Sequence, residues 1–504
     1  MSISASKASF APPLNLIGGA WQPAIRGETF EDINPSNITD RIGLFPRSRA
    51  ADVQAAVAAA RAAFKTWRLT PAPRRGDILR QCAILLRERK EKLARLMARE
   101  MGKLLAEARG DVQEAIDCAN FYSGEGRRLH GQTAPSELPD KFAMTVRRPI
   151  GVCGLITPWN FPIAIPSWKI FPAIICGNTV VFKPAKDSPA CASAFIKILM
   201  EAGVPDGVLN LTHGLGEEVG TALISHPDVN LISFTGSSQV GSQIAAACGA
   251  SLKRCSLEMG GKNAQIVMDD ADLNLALEGA LWGSFATSGQ RCTATSRLLL
   301  HKTIHHSFLQ RFVKAARGLR LGDPLDSRSQ MGPLVNAAQL NRLQEYVRIG
   351  VQEGAELLCG GQPATRRGLA RGVFFQPTIF AKVKPAMRIA QEEIFGPVVS
   401  VIKFETFDEA VEILNDTAYG LSSSIYTRNV NQAFRAMRDF DAGITYINGP
   451  TIGAEVHLPF GGVKSTGNGH REAGQTVLDI FSEWKSIYVD YSGKLQKAQI
   501  DVAD

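Results

Sequence analysis

The sequence has no run of about eighteen apolar residues that could cross a bilayer as a helix, no Cys-x-x-Cys pair and no block of charge of one sign. The first lack argues against a membrane partner. The second, with nine cysteines odd in number and scattered, argues against both a disulfide framework and a zinc site. No metal is expected, and a reducing, cytoplasmic compartment follows. Residues 1–13 lack a basic start followed by an apolar core, so no leader is expected there. The net charge of +8 is dispersed, and the densest cluster, Arg87 to Lys92, alternates in sign as a solvated helix face does. Nucleic acid is therefore not an expected partner, because its footprint is a basic patch or stripe. There is also no internal repeat and no low-complexity tract.

What is present reads as a folded α/β protein. At 504 residues the chain exceeds what one hydrophobic core supports, and 45% hydrophobic against 21% charged residues gives it ample material for more than one. Apolar residues at helical spacing over 51–64 and 78–97 predict two amphipathic helices. Beyond Gly151, short apolar runs at 152–156, 179–182, 208–211 and 231–234 alternate with helix-length stretches at 164–175, 190–202, 217–224 and 240–248. This alternation predicts a doubly wound parallel sheet. A second α/β domain is implied beyond Glu258 by a helix over 273–285, a strand over 297–301 and a helix over 307–319. Period-two alternation at 142–146 and 484–490 predicts strands outside both domains, and exposed strands of this kind invite pairing between copies. The expected organisation is a dinucleotide-binding domain from 1–130 and 150–257, a catalytic domain over 258–470, and small β oligomerisation segments at 131–149 and 471–504. A homodimer or homotetramer is expected.

The chemistry-bearing residues cluster at turns. Cys292 lies between Arg291 and Thr293 after the flexible Gly289, a setting for an accessible thiolate, although a free cysteine is more often a small buried hydrophobe. Glu258, upstream, is a candidate general base. Asn160 follows the strand at 152–156 and could donate its amide to an oxyanion, or simply serve the turn. Lys183 and Lys186 follow the next strand, one suited to a ribose and the other to a phosphate, or together a solvated pair. Gly236, Ser237 and Gly241 form a Gly-x-x-x-x-Gly loop before a helix, an anion site in form but a weak signal alone. Glu393 and Phe395 sit in a turn before an apolar run, placed for a ribose and a nicotinamide face.

Taken as an ordered set, Pro158-Trp159-Asn160-Phe161-Pro162, Lys183-Pro184-Ala185, Phe234-Thr235-Gly236-Ser237, Glu258-Met259-Gly260-Gly261-Lys262, Gly289-Gln290-Arg291-Cys292, Glu393-Ile394-Phe395-Gly396-Pro397 and Pro459-Phe460-Gly461-Gly462 resemble the aldehyde dehydrogenase superfamily over nearly the whole chain. The resemblance implies NAD(P)-dependent oxidation of an aldehyde to a carboxylate through a cysteine thiohemiacetal and thioester. It implies Cys292 as nucleophile, Glu258 as general base, Asn160 as oxyanion donor and Lys169 as a further catalytic residue. Cofactor contacts fall on Thr157, Pro158, Trp159, Lys183, Lys186, Gly236, Ser237, Gly241, Glu393 and Phe395, and aldehyde contacts on Arg291, Phe161, Trp168 and Phe460.

Two departures from the family pattern bear on specificity. Lys186 stands where NAD-preferring relatives usually carry Glu, and a cation there suits the 2′-phosphate of NADP. Arg291 suits a carboxylate at the far end of the aldehyde, or alternatively lowers the Cys292 pKa. The segments 453–462 and 293–297 look most like the branch that oxidises 2-oxoglutarate semialdehyde (2,5-dioxopentanoate). Succinate semialdehyde and amino or betaine aldehydes are the alternatives. A cysteine hydrolase or thioesterase, the competing class, needs a positioned histidine, and none of the eight lies within these motifs.

Overall fold

The computed structural model of the protein describes residues 13–366 and 368–499; the stretch 1–12 read for a leader and the last five residues of the segment 471–504 lie outside the described residues. Three sheets organise the chain. In the first, Val152–Ile156 is central, and the strands run in the order Arg254–Glu258, Leu231–Thr235, Val152–Ile156, Thr179–Lys183, Leu209–Leu211, Asn15–Ile17, Ala20–Gln22. The first five are parallel and the two N-terminal strands add on antiparallel. The four strands of this sheet from Val152 to Thr235 carry almost wholly buried side chains, which explains why they read as continuous apolar runs rather than as alternation. The chain builds outward from Val152–Ile156 to one side and then returns to the other with Leu231–Thr235. The crevice between those two strands is the topological switch point where such sheets take ligands.

The second sheet orders Glu356–Cys359, Thr378–Ala381, Val398–Phe404, Arg297–His301, Ala264–Val267, Ser422–Tyr426 and Ile444–Ile447, all parallel except the first. The third sheet pairs Lys141–Pro149 with Ser482–Asp490 antiparallel across nine residues, Lys141 opposite Asp490 and Pro149 opposite Ser482, with Thr133–Pro135 added at the edge. The two segments read as period-two strands thus meet within one chain. Most of their side chains remain exposed or half-exposed, including Phe142, Trp484, Tyr488 and Val489.

Helices Ala164–Ile175 and Leu273–Phe285 and the strand Arg297–His301 fall where the apolar pattern puts them. The single helix expected over 78–97 is instead two, Ala72–Glu88 and Lys90–Met101, broken at Arg89, whose φ of −105° and ψ of 9° leave the helical region. Leu86 and Leu93 are seven residues apart and both are fully buried, so the stripe stays in phase across the one-residue break and conceals it. The helix expected over 217–224 is a π-turn, Gly216–Gly220, followed by a single α-helical stretch, Thr221–Ser225. Among the described residues, no helix is long and apolar enough to cross a membrane.

Candidate functional site

The residues singled out for chemistry converge where the carboxyl edge of the first sheet faces the amino edge of the second. Asn160 follows Val152–Ile156, and Glu258 ends the strand Arg254–Glu258. Asn263 immediately precedes Ala264–Val267, Cys292 precedes Arg297–His301, and Glu393 and Phe395 precede Val398–Phe404. Residues far apart in sequence are therefore neighbours because two parallel sheets meet end to end.

The approach to Cys292 is a strained loop. After helix Leu273–Phe285, three successive residues adopt left-handed backbone: Thr287 (φ 52°), Ser288 (φ 56°) and Gly289 (φ 67°). Two of them bear side chains, at a cost of order 1–3 kcal/mol each, so the surroundings must over-determine the loop. The Thr287 amide donates to Glu107 Oε1 at 2.8 Å and Ser288 Oγ donates to the Gly332 carbonyl at 2.8 Å. Gln290 Oε1 accepts from the Val335 amide at 3.0 Å, and Arg291 Nε donates to Thr287 Oγ1 at 3.0 Å. Asn263 Nδ2 donates to the Cys292 carbonyl at 2.8 Å and to that of Ala294 at 2.9 Å, fixing the backbone of the thiol itself.

Cys292 lies at the junction of two cavities. One, of about 130 Å³, is lined by Phe161, Trp168, Glu258, Arg291 and Phe460 among others, all of them expected at the aldehyde or the general base. Trp168 and Phe460 meet edge-on with ring centroids 4.7 Å apart. The other, of about 210 Å³, is lined by Pro158, Trp159, Asn160, Gly236, Ser237, Glu393 and Phe395. Trp159 and Phe395 pack edge to face at 5.6 Å. Glu393 Oε1 accepts from the Gly261 amide at 3.0 Å.

Burial and neighbouring carboxylates govern the electrostatics. Burial pushes the Glu258 carboxyl well above the usual range; Glu472 raises it further, while Lys169 and Arg471 oppose. Neither Glu258 oxygen has a hydrogen-bond partner among the described residues. The close approach of its carboxyl depends on Gly461, which takes a φ of 146° and whose missing Cβ would stand 2.5 Å from Glu258 Oε1. Burial, then the carboxylates of Glu393 and Glu258, push the Cys292 thiol up to about 12, although the side chain keeps some exposure to the cavity. Burial and the two carboxylates outweigh any lowering of the thiol by Arg291. Its guanidinium lies over the rings of Phe161 (5.2 Å) and Trp282 (5.6 Å) and has no ion pair among the described residues.

Lys169 is fully buried and does not reach the cavity. Its ammonium is ion-paired with Glu472 and donates to Ser233 Oγ at 2.9 Å. Glu472 lines the same cavity as Glu258. Sequence reading missed Glu472, as it did Asn263 and Glu107; none belongs to a motif, and their partners lie 29 to 303 residues away. Asn160 donates one amide hydrogen to the Gln290 carbonyl at 3.0 Å, which leaves the second hydrogen uncommitted.

The second cavity fits the nicotinamide end of a dinucleotide. Its floor is the start of helix Ser238–Ala250, capped by Ser237, whose first amides favour an anion. Thr235, which lines the cavity, keeps a buried Oγ1 with no partner among the described residues. Four expected cofactor contacts stand elsewhere. Lys183 is buried, held down to about 8 by that burial, and spends its ammonium on the Pro184 carbonyl at 2.8 Å. Lys186 is exposed and pairs with Asp187 at 3.0 Å. Gly241 does not line the cavity; a Cβ there would meet Met259 Sδ at 2.2 Å, so the glycine serves packing. Thr157 is buried beside Lys183, its amide donating to the Lys183 carbonyl at 3.3 Å.

Comparison with known proteins bears on the whole chain. A sequence-family model described as the Aldehyde dehydrogenase family matches residues 21–487. The chain is 41% identical over 476 residues to an alpha-ketoglutaric semialdehyde dehydrogenase of Bacillus subtilis (strain 168), covering 94% of this chain and 98% of that one. It is 42% identical over 481 residues to an alpha-ketoglutarate semialdehyde dehydrogenase of Haloferax volcanii, covering 95% and 99%. Its fold superposes on a crystal structure of betaine aldehyde dehydrogenase from Staphylococcus aureus in complex with NAD+ with a TM-score of 0.94, at 34% identity and 96% coverage of each chain.

Proposed function

Since the chain belongs to the aldehyde dehydrogenase family and is an NAD(P)-dependent oxidoreductase, we propose that it oxidises a short aldehyde with a carboxylate at its far end, 2,5-dioxopentanoate first among them. The observation that carries this reading is the unpaired Arg291 guanidinium in the wall of the cavity that holds Cys292. A buried or half-buried cation without a counter-charge attracts one, and a planar guanidinium recognises a carboxylate through two parallel hydrogen bonds. The cavity, of about 130 Å³, is of the order that accommodates a guest the size of benzene, which suits a short chain.

In this reading Cys292 is the nucleophile. Its thiol rests protonated, and Glu258, sharing the cavity and held by burial well above the usual carboxylate range, accepts the proton. The oxyanion formed as sulfur attacks the aldehyde carbon is held by the uncommitted Asn160 amide hydrogen and the Cys292 backbone amide. Glu393 and the helix start at Ser238 would hold NAD(P), which would supply the hydride acceptor. Once it has returned that first proton to solvent, Glu258 deprotonates the water that hydrolyses the thioester, and Cys292 leaves as the thiolate. Glu472 and Lys169 position and tune Glu258. The exposed Lys186 favours NADP.

Arg291→Leu tests the reading. The KM for 2,5-dioxopentanoate should rise at least tenfold while that for propanal stays within about twofold. Equal effects on both substrates overturn the recognition role.

A further inference from the structure

Helix Leu105–Glu125 turns three carboxyls toward the site at helical spacing: Glu107, Asp111 and Glu114. The first two are spent. Glu107 accepts from the Thr287 and Leu104 amides, and Asp111 binds the Lys103 ammonium at 2.7 Å and the Ala164 amide at 2.7 Å. Glu114 has no hydrogen bond or ion pair among the described residues, and it lines the cavity that contains Cys292 and Arg291. Two polar groups thus stand in the cavity wall away from the catalytic pair: a guanidinium that makes one hydrogen bond, to Thr287, but no ion pair, and a carboxyl with neither among the described residues.

We propose that Glu114 is a specificity residue whose carboxyl donates a hydrogen bond to an oxo oxygen at carbon 2 of the substrate, next to the carboxylate held by Arg291. The cavity then selects a 2-oxo acid over the same chain with a methylene or an amine at that carbon. The inference rests on the reading of Arg291 as the carboxylate receptor.

The chemistry distinguishes the three termini. An ionised Glu114 would accept from a 2-ammonium group and would repel both an oxo oxygen and a neighbouring carboxylate. A protonated Glu114 is a donor, suited to the oxo group and unable to neutralise an ammonium. Burial, then Asp111, push its carboxyl up to about 8, and Asp117 adds to this, while Lys103 and Arg291 oppose. Glu258, Glu472 and the Cys292 thiol line the same cavity. The acid form therefore prevails at neutral pH. A site built to hydrogen-bond a substrate atom discriminates strongly against the analogue that lacks it, because its own polar group is then left unpaired.

The test compares kcat/KM for 2,5-dioxopentanoate with that for 5-oxopentanoate, which has the same length and carboxylate but no 2-oxo group. Glu114→Ala should lower this ratio at least tenfold, and Glu114→Gln, still a donor, should keep it within about threefold. In the unsubstituted enzyme the ratio should fall as pH rises through about 8, and in Glu114→Gln it should be flat with pH. An unchanged ratio in Glu114→Ala, or a flat ratio in the unsubstituted enzyme, overturns the proposal, as does a higher kcat/KM for the 2-amino analogue than for the 2-oxo substrate. If Arg291→Leu leaves the preference for carboxylated aldehydes over propanal intact, the underlying reading fails instead, and the two failures are separable.

Discussion

Glu107 Oε1 accepts the Thr287 amide at 2.8 Å, so a helix in the first quarter of the chain restrains the first of the three left-handed residues that lead to Cys292. The loop has little intrinsic preference for this shape. Its geometry is imposed from outside.

Removing that restraint in Glu107→Ala leaves a buried amide without a partner, a penalty of about 1–3 kcal/mol. The expected outcome is a kcat at least tenfold lower with a lowered melting temperature. A kcat within twofold of the parent would show that the other contacts of the loop suffice.

The pH dependence of turnover should follow Glu258. A base must be ionised, and a carboxyl raised by burial and by Glu472 ionises only at a pH well above the ordinary carboxylate range, so activity should climb with pH there. Glu472→Gln removes a negative neighbour and leaves Lys169 positive, and both changes favour ionised Glu258. The acid limb should move to lower pH. A limb that moves upward or stays fixed in a folded variant would contradict the coupling. Glu258→Gln should slow both the first release of reduced cofactor and sustained turnover, because one carboxylate serves both steps.

Among the described residues Lys186 pairs only with its neighbour Asp187, and it is exposed, so its charge is available to a 2′-phosphate. Efficiency with NADP should equal or exceed that with NAD, and Lys186→Glu should reverse the order by at least tenfold. The ratio of kcat/KM values with the two cofactors is the measurement. Poorer use of NADP that is indifferent to Lys186→Glu would remove the cation from cofactor choice.

Phe142 and Val489 face each other in the third sheet and are both 45% exposed. Exposed apolar pairs on a sheet that buries neither face invite a partner surface. The expected species is a homodimer or homotetramer by light scattering, and Phe142→Lys with Val489→Lys should shift it toward monomer with an unchanged far-ultraviolet spectrum. A monomeric parent would refute it.

How much of this could be read from sequence divides along one physical line. The strands Val152–Ile156 and Thr179–Lys183 are buried on both faces and announce themselves as apolar runs, and Asn160 follows the first while Lys183 ends the second, because sheet ligands gather at carboxyl ends. Cys292 and Glu258 were recognisable from local composition and from the order of the motifs. What local pattern could not convey is contact at long range. Glu472 and Glu107 look like any helix-face or loop carboxylates until the fold brings them to Lys169 and Thr287. The packing role of Gly241 was hidden for a related reason: a glycine in a phosphate-loop pattern and a glycine that makes room for Met259 are identical in sequence. The break at Arg89 stayed hidden because seven residues of spacing match two helical turns closely.

The pairing of Lys169 with Glu472 also has a consequence in time. Glu472, together with the exchange of backbone hydrogen bonds between Phe460 and Glu472, comes from the last tenth of the chain, whereas Lys169 lies in the first two fifths and the sheet it serves is finished at Glu258, near the middle. During synthesis the thiol at position 292 therefore emerges long before the carboxylate that tunes its base. The ion pair that tunes Glu258 can close only when nearly all of the chain has been made.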